Sequence, residues 1–272
     1  MARMALGIEY NGNAFMGWQR QSHAGRTVQG ALEAAITKVA DHPMDIVCAG
    51  RTDAGVHAIG QVIHFDTLAR RDLHGWLLGI NSNLPEDVAV SWIKEVPDDF
   101  HARYRGCARQ YRYSIVNRLT RPALMRSQMT WVRHSLDDVR MHAAAKFLLG
   151  EHDYSAFRSV ECQARSPVRR VHRLDVHRAG EIVSIDVVAN GFLHHMVRNM
   201  VGVLIDIGTG KQDPEWAQRV LQGRDRTQGG VTAQPQGLCF MAVLYPTAYN
   251  IPVPEGALFA GISSDIKLVS SR

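Results

Sequence analysis

Two hydrophobic periods interleave along this chain without settling into a strict alternation, and that irregularity limits the folds open to it. Met4, Leu6, Ile8 and Tyr10 fall two apart, the spacing of a half-buried strand. Val28, Leu32, Ile36 and Val39 fall at helical spacing, with Thr27 placed to cap a helix over 27–40. Strands are expected around 45–48 and 61–65, a helix over 71–80, and strands over 88–96 and 108–116. The pattern then starts over: a helix at 136–149, strands at 171–177 and 182–189, helices at 195–207 and 214–221, and a strand at 238–244. Strands here adjoin strands too often for a parallel β-α-β fold, so an α+β fold with mainly antiparallel sheets is expected. Each half offers several strands and two helices, which divides the chain into 1–105, 106–246 and an extension over 247–272. The Ser-rich end of that extension has no period and reads as a tail.

A chain of 272 residues can bury a substantial core. No apolar run approaches the roughly 18 residues of a membrane span. The opening residues lead straight into a strand pattern, so no membrane association and a cytoplasmic location are expected. Cys48, Cys107, Cys162 and Cys239 lie far apart with no C-x-x-C, the pattern of buried hydrophobes rather than of a disulfide framework or zinc knuckle.

The charge is informative in kind. Of 31 basic residues only five are lysines, and arginine's planar fork suits phosphate and stacks on bases. Between Phe100 and Leu136 there is no acid and no lysine, yet Arg103, Arg105, Arg109, Arg112, Arg118, Arg121, Arg126 and Arg133 fall there. A second basic stretch holds Arg158, Arg165, Arg169, Arg170, Arg173 and Arg178. Interleaved with Tyr104, Tyr111, Tyr113 and Trp131, the first stretch reads either as a nucleic-acid surface or as a set of solvated faces.

Chemistry concentrates in a few places. Gly50 and Gly55 bracket Arg51 and Asp53 on a loop between two strand patterns, which displays a carboxylate at the rim of a sheet. An Asp-Ala-Gly run is equally a plain turn former. Gly208-Thr209-Gly210-Lys211 is no phosphate loop, because Ile205 stands where the first glycine belongs and Gln212 where a hydroxyl should bind magnesium. His194-His195 lacks the spacing and carboxylate of a zinc pair, adjacent histidines on a helix pointing well apart, and no metal is expected there. Arg198 falls beside the apolar stripe Val197, Met200, Val201, Leu204 and Ile205, so its guanidinium either seeks a carboxylate such as Asp53 or snorkels to solvent. Tyr111, mid-strand between Arg109 and Arg112, suits an unstacked base and is also simply a good strand residue.

Several motifs taken together resemble the tRNA pseudouridine synthase A (TruA) family. They are Arg51-Thr52-Asp53-Ala54-Gly55-Val56-His57-Ala58, Asn83-Leu84-Pro85, Asp99-Phe100-His101-Ala102-Arg103, Arg109-Gln110-Tyr111-Arg112-Tyr113, the run from Gly191 to Asn199, and Gly237-Leu238. The resemblance covers about 4–259 in the family's order, leaves 260–272 outside, and departs at Gln110, where members often carry a basic residue. It implies isomerisation of uridine to pseudouridine on the 3′ side of the tRNA anticodon stem-loop, by a homodimer that needs no cofactor or metal. It implies the pseudouridine synthase fold, two α/β halves with antiparallel sheets flanking a basic cleft. Asp53 would be the nucleophile toward the base or ribose C1′, with Arg198 beside it and Tyr111 stacking on the uracil and helping to remove the C5 proton. Arg51 would help extrude the base, Leu238 would pack on it, and His57 and Arg109 would join in binding substrate. A non-catalytic tRNA-binding protein or chaperone, and a metal-dependent hydrolase using the histidines, are the readings from other classes.

Overall fold

The computed structural model describes residues 1–21 and 25–264, so the final residues of the expected tail, 265–272, lie outside the described residues. The chain divides into two units, one made of Met1–Ala108 with the chain from Phe240 onward, the other of Arg109–Cys239. Mixed helices and mainly antiparallel strands make each an α+β unit.

The first unit begins with β1 (Ala2–Tyr10), α1 (Val28–Ala40), β2 (Val47–Cys48), β3 (His57–Thr67), α2 (Leu73–Asn83) and β4 (Val88–Val96). β1 lies antiparallel between β3 and β4, with Leu6 opposite Ile63 on one side and Ile93 on the other. Leu6, Ile8, Ile63 and Phe65 are fully buried or nearly so, and each such side chain stabilises the fold by about 1.5–3 kcal/mol over leaving it in water. α1 starts where Thr27 Oγ1 accepts the Gly30 N–H at 3.3 Å, and it buries the expected Val28, Leu32, Ile36 and Val39. α2 starts at Leu73 rather than Arg71, because the Asp72 carboxylate accepts the Gly75 N–H and ends the extended chain there. Trp76 of α2 packs on Phe65 of β3 with ring centroids 5.5 Å apart.

The second unit comprises β5 (Ala108–Asn117), β6 (Thr130–Val132), α3 (Asp138–Ala145), β7 (Gly150–Asp153), β8 (Val168–Ala179), β9 (Ile182–Ala189), α4 (Met196–Gly208) and α5 (Trp216–Gly223). β5, β9, β8 and β7 are neighbours in that order and all antiparallel, while β6 runs parallel to β5. α3 is shorter than its apolar period suggests: Asp137 caps it at Arg140 N, and Lys146–Leu148 tightens into a 3₁₀ turn. The final strand, β10 (Leu238–Leu244), crosses the division between units and from Phe240 runs beside β3. Only a glycine admits it there, since a Cβ on Gly60 would stand 2.0 Å from the Met241 carbonyl oxygen. Cys107 N–H donates to Leu244 O at 2.7 Å and Tyr245 OH to Ala102 O at 2.6 Å, tying the end of the chain to the first unit.

All four cysteines are free, three of them buried. No described helix is long and apolar enough to cross a membrane.

Candidate active site

The loop between β2 and β3 carries Arg51, Asp53 and His57, and backbone geometry holds it at several points. At its base the buried Gln61 side chain acts as a substitute peptide, Nε2 donating to Gly50 O at 2.6 Å and Oε1 accepting Gly50 N–H at 3.3 Å. Halfway along, Thr52 O accepts the Trp18 N–H at 3.0 Å while its hydroxyl meets the Tyr10 hydroxyl at 2.8 Å. Val56 N–H then donates to Asp53 O at 3.2 Å, closing a tight turn in which Gly55 takes φ of +79°, a value that disfavours any side chain. His57 is buried, its Nδ1 accepting the Gly12 N–H at 3.0 Å, so the ring anchors the exit of the loop. The turn-former reading of Asp-Ala-Gly thus describes the Asp53 backbone. The same turn presents Asp53 half-buried and Arg51 exposed.

Two glycines outside the loop set how closely the chain may approach it. A Cβ on Gly12 would sit 2.0 Å from Val56 O. Gly17, at φ of +91°, would place one 3.0 Å from Thr52 O and 3.1 Å from Ala54 N. The segment from Tyr10 to Trp18 therefore packs backbone against backbone on the loop. Nothing in the sequence assigns Gly12, Gly17 or the Gln61 amide to this loop; the available signal is a glutamine in the middle of a strand and two glycines close together before α1.

In the second unit Tyr111 lies on β5 opposite Val187, buried, its ring meeting Phe192 edge-on at 5.0 Å. The two flanking arginines differ. Arg112 spends its guanidinium on Asp186, which is 1 % exposed, through two hydrogen bonds of 3.0 Å. Arg109 is half-buried and donates to Asn190 O at 3.0 Å. Tyr113, two residues on from Tyr111, is a structural post: its hydroxyl donates to Gln234 O at 2.8 Å and lies 2.6 Å from Thr130 Oγ1. Burial pushes that phenol up to about 12. Leu238, at the head of β10, is buried.

Arg198 is half-buried on α4, as its place beside the apolar stripe predicts. Its Nε donates to Ala233 O at 2.8 Å and its carbonyl accepts Ala233 N–H at 3.1 Å, a reciprocal clasp on the strap that follows α5. The next residue, Asn199, is buried and ties the same strap: Oδ1 accepts from Arg226 at 3.0 Å and from the Thr232 hydroxyl at 2.7 Å, while Nδ2 donates to Phe157 O at 2.8 Å. His194 and His195 do not point apart. His195 sits outside the helix at φ of +62°, and the two rings face each other with centroids 4.0 Å apart and planes tilted by 39°. Behind them Cys162 Sγ accepts the His194 N–H at 3.4 Å. Burial works against the Cys162 thiolate, yet backbone N–H groups of His194 and Ala164 and the charge of Arg158 bring the thiol below its ordinary value.

The long acid-free segment is not acid-free in space. Arg105 pairs with Asp99, Arg112 with Asp186 and Arg118 with Glu181, and in the second stretch Arg170 meets Glu151 and Arg178 meets Asp138. Arg121, Arg126, Arg133 and Arg165 are exposed and enter no ion pair among the described residues.

A family model described as tRNA pseudouridine synthase matches residues 7–105 and 144–246. A protein named tRNA pseudouridine synthase A from Coxiella burnetii (strain Dugway 5J108-111) is 52% identical over 260 residues, 95% of this chain and 99% of that one. One of the same name from Xanthomonas euvesicatoria is 54% identical over 251 residues, 92% of this chain and 98% of its own. Another, from Alcanivorax borkumensis, is 51% identical over 260 residues, 95% and 97% of the two chains. With such agreement along nearly its whole length, the chain belongs to the tRNA pseudouridine synthase family.

Proposed function

We propose that this chain isomerises uridine to pseudouridine on the 3′ side of the tRNA anticodon stem-loop, with Asp53 as nucleophile. The observation that carries this reading, within the family, is the loop itself: a half-buried carboxylate on a turn that backbone contacts hold rigid. The reaction breaks the bond from ribose C1′ to uracil N1 and makes one from C1′ to C5. C5 loses its proton and N1 gains one, so neither oxidant nor energy source is consumed. A carboxylate can drive it by attacking C1′ or the uracil ring, and a rigid mount keeps it at attack distance.

In this reading Arg198 meets Asp53 during turnover, and the Ala233 clasp fixes its guanidinium for that role. Tyr111 stacks on the extruded uracil and assists loss of the C5 proton, with Leu238 beneath the base. Arg51 enters the space the uridine vacates, since chemistry on a stacked base requires the base to leave the helix. Arg109 contributes to binding and His57 acts through the loop it anchors. Exposed arginines hold the tRNA backbone, so affinity falls steeply with salt. The working form is a homodimer in the cytoplasm, with no cofactor or metal.

Tritium release from tRNA labelled at uridine C5 tests this directly. Wild type should release the label with chelator present, and Asp53→Asn should release none while binding tRNA as before. Binding without release by the wild type would instead make the chain a tRNA-binding protein; release that chelator abolishes would place a metal in the reaction.

A further inference from the structure

The turn between β4 and β5 bears an aromatic stack that the chemistry above does not use. Phe100 is fully buried against Tyr245 and Tyr249, ring centroids 5.2 Å away in both cases, and pins the turn to the first unit. Ala102 is held from both sides, its N–H donating to His64 Nδ1 at 3.2 Å and its carbonyl accepting from Tyr245. His101 Nδ1 accepts the N–H groups of Arg103 and Tyr104 at 3.2 and 3.1 Å, which fixes both the ring and the chain that follows. The His101 ring lies 4.8 Å from buried His64, tilted 57° to it, and 4.3 Å from Tyr104, only 30° from parallel. Burial holds both imidazoles below their ordinary range, His64 down to about 4, so at neutral pH neither ring carries a charge that would part the stack.

The stack ends in solvent. Tyr104 is 62% exposed, yet it is backed by a ring on a turn with little freedom left. A large aromatic surface held open in this way costs little ordering entropy to bind, and it suits a flat partner. The surrounding charge narrows the partner further. The Arg103 guanidinium carbon lies 5.6 Å from the Tyr104 ring centre. Ala102 is bonded to His64 of β3, and His64 and its neighbour Ile63 pair with Val47 and Cys48 of β2, from which the Asp53 loop departs, so the turn and that loop share one neighbourhood of the first unit. Of the two acids that precede the turn, Asp98 is exposed and Asp99 is already taken by Arg105 at 3.0 Å and the Tyr249 hydroxyl at 2.7 Å, so the arginines outnumber the free carboxylates here.

We propose that Tyr104, backed by His101 and flanked by Arg103, is a stacking platform for an unpaired nucleobase of the tRNA substrate, a neighbour of the target uridine. A π-face recognises any base and the arginine meets the adjoining phosphate, so the platform positions RNA without reading its sequence. This rests on the function proposed above.

Steady-state pseudouridine formation on an unmodified tRNA transcript separates the two claims. Turnover by the wild type tests the function and does not depend on Tyr104. For the platform, Tyr104→Ala should raise KM about tenfold with kcat within about twofold, as expected for one lost base–aromatic stack. Tyr104→Phe should match the wild type, because the ring face and not the hydroxyl acts. The dependence of KM on salt should be unchanged in Tyr104→Ala, while Arg103→Ala should lower its logarithmic slope by about one. Fluorescence of 2-aminopurine placed beside the target in an anticodon stem-loop should be quenched by wild type and less by Tyr104→Ala, even if no turnover occurs. A KM for Tyr104→Ala within twofold of wild type would overturn the platform. So would a Tyr104→Phe as weak as alanine, or a Tyr104→Ala that elutes as a smaller assembly, which would assign the ring to a protein interface.

Discussion

The two units secure their central side chains by different means. In the first, the Asp53 loop is held mostly at its own backbone groups: a turn closed at Val56, a peptide-like clip from the Gln61 side chain onto Gly50, and two glycines that bring a neighbouring strand end into direct contact. In the second, Arg198 stands on a helix face and the strap beside it is tied largely through the side chains of Asn199, Arg226 and Thr232. The difference matches the roles proposed above for the two groups. A nucleophile works only within a narrow window of distance, and displacement by about 1 Å can cost about a hundredfold in rate. A cation acts through a field that falls only inversely with distance, so small adjustments of a side-chain network are tolerable.

Substitutions can break or sharpen that contrast. The largest expected effect after loss of Asp53 itself is from Gly12→Ala, whose new Cβ would stand 2.0 Å from Val56 O. Because the obstacle is backbone, the loop must move, and kcat for pseudouridine formation should fall about a hundredfold with KM little changed. Arg198→Lys keeps the charge but loses the Nε donor to Ala233 O, and single-turnover assays should show a loss of about tenfold. Asn199→Ala leaves the Phe157 carbonyl, the Arg226 guanidinium and the Thr232 hydroxyl without their common partner. Urea unfolding should register about 2–3 kcal/mol of lost stability, with kcat reduced less than by Gly12→Ala. Should Asn199→Ala harm turnover more than Gly12→Ala, the contrast between a rigid acid and a tolerant cation is wrong.

Tyr10→Phe removes one hydroxyl pair from the loop and should cost about 1 kcal/mol in stability and a few-fold in kcat. A last effect concerns pH. His64 is held down to about 4 against an ordinary 6.5, chiefly by burial and then by His101 and Arg3. Between those values the unfolded chain binds the proton and the folded chain does not, so stability falls as pH drops from 6.5 toward 4. His64→Gln should flatten part of that slope in the melting temperature, while His101 and His172, also lowered, act in the same direction.

What could be read from the sequence was what local periodicity controls. β1 and β5 follow from two-residue alternation, and α1 from its apolar spacing and Thr27. β6 and β7 escape because they span only Thr130–Val132 and the polar Gly150–Asp153, and their extended form is imposed by the strands beside them. Charge misleads for a related reason. Asp186 is 74 residues from Arg112 in sequence yet holds it, so an acid-free segment says little about free charge. The facing His194–His195 pair was hidden too, because a left-handed residue at a helix start defeats helical-wheel reasoning. Asp53, Tyr111 and Arg198 stood out through motif resemblance, whereas Gln61 and Asn199 are seen to matter only once their partners are in place.

The order of the chain also has a consequence in time. Growing from its N-terminus, the polypeptide completes Arg109–Cys239 before the partner of β3 that begins at Phe240 has been made. Until then β3 has an open edge at Gly60, and the turn bearing Ala102 waits for the Tyr245 hydroxyl. The unit that starts first therefore finishes last, and a chain stopped on the ribosome before Phe240 holds an acid loop whose sheet is still unfinished.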